Sequence, residues 1–135
     1  MKIENKSRIT TLDNKVIKIV KPLGEGGQGE VYLVEHNSKN YALKIYKEKP
    51  SDDFLFNLKR NITKGSPCDS FLWPLEFVHI DDNTYGYLMD VRDSNYVSFI
   101  SYLNGKTQFK DKNTLLNWCI NLCIAFKKRL YARGE

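Results

Sequence analysis

Hydrophobic and polar positions alternate with period two in several short stretches up to residue 89, interrupted once by a helical pattern, and adopt helical spacing after that. Val16, Lys18 and Val20 alternate with Ile17, Ile19 and Lys21, which predicts a first strand over Val16 to Leu23, with Pro22 near its end. Val31, Leu33 and Val34 form a second β-rich run, His36 to Asn40 reads as a turn, and Tyr41 to Tyr46 reads as a third strand. Ser51-Asp52-Asp53 can cap a helix running through Phe54, Leu55, Leu58 and Ile62, and Gly65-Ser66-Pro67 stops it. Glu76 to Ile80 and Thr84 to Met89 then read as two strands about a turn at Asp81-Asp82-Asn83, completing a meander.

Beyond residue 93 the pattern is helical. Asn95 to Leu103 predicts a short helix ended by Asn104-Gly105, and Asp111 or Asn113 can cap the longest helix, Thr114 to Ala132. Leu115, Cys119, Leu122, Phe126 and Leu130 follow helical spacing, yet Leu116, Trp118, Ile120, Cys123, Ile124 and Ala125 fill most of the remaining circumference. A helix apolar nearly all round belongs inside a larger structure.

Composition narrows the class. With 135 residues and 41% hydrophobic content the chain is long and apolar enough to bury a core, which excludes a disordered polymer. No apolar run approaches membrane-spanning length, and Met1 to Thr11 is polar with no signal-like segment, so the chain reads as cytoplasmic. Cys68, Cys119 and Cys123 are an odd number and are expected to stay reduced. Cys119 and Cys123 stand four apart on a helix, but no third or fourth ligand is near in sequence, so they read as packing residues rather than a metal site. The net charge of +5 raises the question of nucleic acid, but the lysines are dispersed and form no aromatic-rich stripe. Lys127-Lys128-Arg129, with Arg133, falls in the last turns of the long helix, where cations oppose the helix dipole.

The chemistry concentrates in Leu23-Gly24-Glu25-Gly26-Gly27-Gln28-Gly29-Glu30-Val31, followed by Tyr41-Ala42-Leu43-Lys44. Glycines at 24, 26 and 29 permit positive φ and lack Cβ atoms, so backbone N–H groups in this stretch can approach phosphate oxygens. Lys44 adds a mobile point charge on the next strand, under the loop. A G-x-G-x-x-G spacing also marks dinucleotide-binding folds, but there a helix follows the loop, whereas a strand follows this one. The plainer alternative is that the glycines only build a turn and Lys44 is a surface lysine.

In combination, Gly24, Gly26, Gly29 and Val31 with Ala42-Leu43-Lys44 resemble the G-x-G-x-x-G-x-V loop and V-A-I-K strand of the N-terminal lobe of eukaryotic-type Ser/Thr protein kinases. Phe71 to Pro74 and Gly86-Tyr87-Leu88-Met89 look like a bacterial branch of such kinase-like proteins. The resemblance, over residues 12 to 135, implies an α+β fold: a kinase-type N-lobe of five antiparallel strands and one helix over 1–92, and the first helices of a C-lobe over 93–135. It implies ATP as ligand, with Mg²⁺ held by motifs of the C-lobe. The loop residues Gly24, Glu25, Gly26, Gly27, Gln28 and Gly29 would meet the phosphates together with Lys44. Leu23, Val31 and Ala42 would sandwich the base, Met89 would match the gatekeeper, and Asp90-Val91-Arg92 the hinge whose backbone meets adenine.

The chain departs from that pattern in two ways. The helix glutamate that normally pairs with the phosphate-binding lysine has no counterpart, because Asn57 to Pro67 contains no carboxylate; Asn57 is the nearest polar substitute. No H-R-D-type catalytic loop and no D-F-G motif occurs, so the expectation is the ATP-binding portion of a kinase, truncated before the catalytic loop and inactive alone. The alternative is a non-catalytic, pseudokinase-like interaction module. In either case the helix from Thr114 to Ala132 would be covered by the missing C-lobe or by a protein partner.

Overall fold

The structure is a computed structural model that describes residues 8–10, 16–96 and 99–132. In chain order its elements are β1 (Arg8–Thr10), β2 (Val16–Glu25), β3 (Gly29–His36), β4 (Lys39–Tyr46), α1 (Asp52–Lys64), β5 (Glu76–Asp81), β6 (Thr84–Met89), α2 (Phe99–Leu103) and α3 (Lys112–Ala132). All the strands join one antiparallel sheet in the order β1-β2-β3-β4-β6-β5.

Period-two alternation does what it must in a strand: it sends one set of side chains to the buried cluster and the other to the opposite face. Ile17, Ile19, Tyr32, Val34, Leu43, Ile45, Val78 and Leu88 form the buried cluster. The register explains why these meet, since Tyr32 stands opposite Leu43 and Leu43 opposite Leu88. His36 shares this face and is buried with its hydrogen bonds satisfied. Its Nδ1 lies 3.2 Å from the Val16 carbonyl, and its Nε2 lies 3.3 Å from the Asn37 side-chain amide.

The five expected strands are all present, with two departures from the expected layout. β1 pairs along the edge of β2, with Ile9 opposite Ile17, so the sheet has six strands rather than five. The expected simple meander is also broken: after α1 the chain passes to the outer edge as β5, and β6 turns back to lie between β5 and β4. Between β3 and β4 the expected five-residue turn tightens to Asn37 and Ser38, with φ of 51° and 62°, a two-residue hairpin whose twist suits the flanking strands.

α1 starts where its cap is placed. Ser51 Oγ accepts the Phe54 N–H at 3.3 Å, Asp52 and Asp53 stand at the positive end of the helix, and Gly65 ends it at φ 78°. Leu55 and Leu58 are buried as α1 packs on β5, and Trp73 Nε1 donates to the Asn61 carbonyl at 2.9 Å.

The strands and α1 make one compact unit, which includes residues 72–91; residues 67–71 and 92 onward belong to a second. Within the second unit, the expected helix from Asn95 begins at Phe99 instead. Asn95 and Tyr96 fold back on Asp93 in a side-chain-stabilised turn, and residues 97–98 lie outside the described residues. α2 ends at Leu103, and Gly105 (φ 70°) turns the chain just beyond it, where the Lys106 N–H donates to the Ser101 carbonyl at 2.9 Å. Asp111 caps α3 by accepting the Thr114 N–H at 2.7 Å, so α3 starts two residues before the expected Thr114. The Phe109 ring stands 4.8 Å from Tyr102 and 5.8 Å from Trp118. Leu116, Ile120, Ile124, Phe126 and Leu130 are left exposed along α3, and Arg133, assigned to its last turns, lies outside the described residues.

Candidate functional site

Lys44 belongs to the sheet face opposite the core. Cross-strand partners share a face, so the register Gly24–Val31–Lys44–Tyr87 forms one row across four strands. Two residues along, Leu33–Ala42–Met89 forms the next row on the same face. Val31, Ala42, Lys44 and Met89, singled out in sequence, are therefore brought together as an apolar floor with one ammonium beside it. Ala42 is buried, and Val31, Lys44 and Met89 are half-buried. Leu33 belongs to this floor and was not foreseen, although its spacing of two from Val31 would have shown it.

The glycine-rich connection joins β2 to β3 through Gly26, Gly27 and Gln28. It is closed by the Gly26 N–H donating to the Gly29 carbonyl at 2.9 Å, and Lys47 N–H reaches back to the Gln28 carbonyl at 3.1 Å. None of its glycines uses the positive φ that glycine permits. Their use is steric: open space surrounds a Cβ built at Gly24, Gly26 or Gly27, while one built at Gly29 would collide with the Ile45 carbonyl oxygen of β4. Gly29 thus lets β3 and β4 close together, and the other three leave the top of the loop bare to an approaching group. Glu25 is exposed but paired, its carboxylate held by Lys47 Nζ at 2.6 Å.

Leu23 stands at the β2 register shift between Pro22 and Gly24 and is 45% exposed. Asp90, Val91 and Arg92 are exposed, and Asp90 lies 3.8 Å from Lys39 at the start of β4. Arg92 belongs to the second unit, so the sheet does not include it.

Around Lys44 the charge balance is one-sided. Among the described residues no carboxylate lies within ion-pair distance of it. Asn57, the sequence candidate for its partner, is exposed and makes no hydrogen bond to it among the described residues. Besides Val31 on β3, Lys44 has two phenols as neighbours, to which the sequence alone assigned no role. Its Nζ sits over the Tyr46 ring, 5.4 Å from the centroid, and Tyr87 is its cross-strand partner. Burial, with the nearby Tyr87 second, pushes the Tyr46 phenol far above its ordinary range, and burial raises Tyr87 as well. Both stay neutral, so the local charge is the +1 of the lysine. Tyr46 was readable as a residue two beyond Lys44 on the same strand; Tyr87 required the β4–β6 register.

A cleft of about 420 Å³ opens beside the loop, lined by Gly27, Gln28, Tyr46, Lys47, Ser51 and Phe54. Among the described residues no three His, Cys, Asp or Glu side chains cluster. Cys119 and Cys123 are free and exposed on α3, not packed as the sequence suggested.

No protein-family model matches the sequence, and no curated protein matches it. Solved structures do resemble it. The kinase domain of Mycobacterium tuberculosis PknI aligns with a TM-score of 0.53 at 23% identity, over 69% of this chain and 38% of that domain. A single-site mutant of the same domain gives a TM-score of 0.54 over the same shares. Vaccinia related kinase 3 gives 0.51 at 14% identity, over 67% of this chain and 31% of its own. The chain thus spans about two fifths of the length of the PknI kinase domain, and its fold is that of a protein-kinase N-lobe.

Proposed function

We propose that this chain is the ATP-gripping portion of a Ser/Thr-type protein kinase. The observation that carries the reading is the single face on which Lys44, unopposed by any carboxylate within reach among the described residues, adjoins the apolar floor of Val31, Leu33, Ala42 and Met89. A nucleoside triphosphate asks for those two features side by side: a flat apolar surface for the purine, and a cation with unobstructed backbone for the phosphates. Gly24, Gly26 and Gly27 would cover the phosphates, Lys44 would bind them as a point charge, and Leu23 would close over the base. The backbone of Asp90 to Arg92 would meet the purine edge, by resemblance to the kinase hinge.

Among the described residues no three His, Cys, Asp or Glu side chains cluster to hold Mg²⁺, so its ligands would come from a C-lobe and from the nucleotide's own phosphates. With no H-R-D and no D-F-G motif in the 135 residues, these residues alone would bind without transferring phosphate. In a complete kinase, a C-lobe would supply those groups and cover α3. The division 1–92 and 93–135 and a cytoplasmic location belong to the same reading.

A second reading, a non-catalytic interaction module, draws on the missing carboxylate of α1 and the exposed apolar residues of α3. A thermal melt with and without Mg-ATP, on the wild-type chain and on Lys44→Ala, separates the two. A ligand that binds only the native state at a hundred times its Kd adds about 2.7 kcal/mol, so the midpoint must rise, and Lys44→Ala should abolish the rise while leaving the ligand-free midpoint near wild type. A folded wild-type chain whose midpoint ignores Mg-ATP would sink the nucleotide reading and favour the module.

A further inference from the structure

We propose that Tyr46 is the positioning residue for Lys44, holding the ammonium over its ring and tying it to α1 through Phe54. The proposal deepens the nucleotide reading and rests on it for its consequence, though not for its geometry.

The argument begins with what α1 lacks. Its acids, Asp52 and Asp53, both stand in the first turn, and the rest of the helix carries none, so no carboxylate of α1 is placed to hold a lysine from the helix's inner turns. A half-buried lysine with no ion pair among the described residues still needs something to fix it, because its four-carbon stem otherwise samples many rotamers. The Tyr46 ring lies within the reach of cation–π attraction, at 5.4 Å from Nζ to centroid.

That ring is itself held from two sides. Phe54, in the first turn of α1, meets it edge-on at 5.4 Å and 84°, and Tyr87 meets it at 6.1 Å and 52°. Movement of α1 therefore reaches Lys44 through two ring contacts instead of one ion pair. The substitution has a chemical consequence. A carboxylate partner would offset the charge of the lysine, whereas a neutral ring orients the ammonium and leaves its full charge to an incoming phosphate.

The test reads the geometry and the binding separately, using Tyr46→Phe, Tyr46→Leu and Phe54→Leu in the full chain. By NMR of the free protein, the Lys44 ε-methylene protons should be shifted upfield by the ring current. The shift should persist in Tyr46→Phe and collapse in Tyr46→Leu. Calorimetric titration with Mg-ATP should give near-wild-type affinity for Tyr46→Phe and a loss of about 3- to 30-fold for Tyr46→Leu, the worth of one such contact. An unshifted Lys44 in the wild type, a shift that survives Tyr46→Leu, or a Tyr46→Phe as weak as Tyr46→Leu would each overturn the proposal. Should Tyr46→Leu fail to fold, Phe54→Leu at an exposed position serves instead, and it must reduce the shift; no change would overturn the link to α1. A wild type with a shifted Lys44 that ignores Mg-ATP would sink the nucleotide reading while supporting the hold of Tyr46 on Lys44.

Discussion

At the scale of single residues, the glycines of the β2–β3 connection separate into two kinds with opposite expected effects. Gly29 abuts the Ile45 carbonyl, so a methyl group there must push β3 and β4 apart; overpacking of this kind costs about 1–3 kcal/mol. Gly24 has open space around its missing Cβ and an ordinary φ, so Gly24→Ala should leave stability unchanged or raise it by about 0.4–1 kcal/mol through the unfolded chain. Urea denaturation of the two variants checks this, and equal destabilisation by both would refute the division. The sequence made the glycines visible as a group but not this division, because spacing does not say which Cβ would face a neighbouring strand. Lys44 was legible for a simpler reason: a charged residue between Leu43 and Ile45 on an alternating strand has to leave the core face. Its actual neighbour Tyr87 was not legible, since nothing local says that β6 rather than β5 lies against β4.

At the scale of elements, strands and helices whose own side chains settle their fate were readable, and those settled by a neighbour were not. α1 carries its cap, its buried leucines and its terminating glycine in sequence, and it folds between those signals. β1 has three residues and no alternation long enough to register, so the free edge of β2 makes it a strand. α3 is set at its start by Asp111, whose carboxylate accepts the backbone N–H and the hydroxyl of Thr114, which holds its pKa below the ordinary range. The sign follows from linkage: a depressed native pKa gives stabilisation that is complete above the unfolded value of about 4 and is lost as pH falls through the native value. Helicity of α3 should therefore decline in acid below about pH 4, and Asp111→Asn, which keeps a capping oxygen but does not titrate, should remove that part of the decline. Circular dichroism of the two chains between pH 5 and 2 decides it; identical acid profiles would mean that the cap does not govern α3.

At the scale of the whole molecule, stability should be uneven. The sheet buries its cluster on one face, whereas α3 has Ala125 alone buried among its described side chains and carries Leu116, Ile120 and Ile124 exposed at four-residue spacing, with Phe126 and Leu130 beside them. Helices draw most of their stability from packing an apolar face, so α3 should open more readily than β3 or β4, and its amides should exchange with deuterium well before those of the strands. The same stripe is an apolar surface that water disfavours, so the isolated chain should associate as its concentration rises. Ile120→Glu with Ile124→Glu should suppress that association in sedimentation velocity while the sheet keeps its melting behaviour, since exposed substitutions cost little. A wild-type chain that stays monomeric at every concentration, or a double variant whose sheet unfolds, would show instead that the stripe is part of this chain's own core.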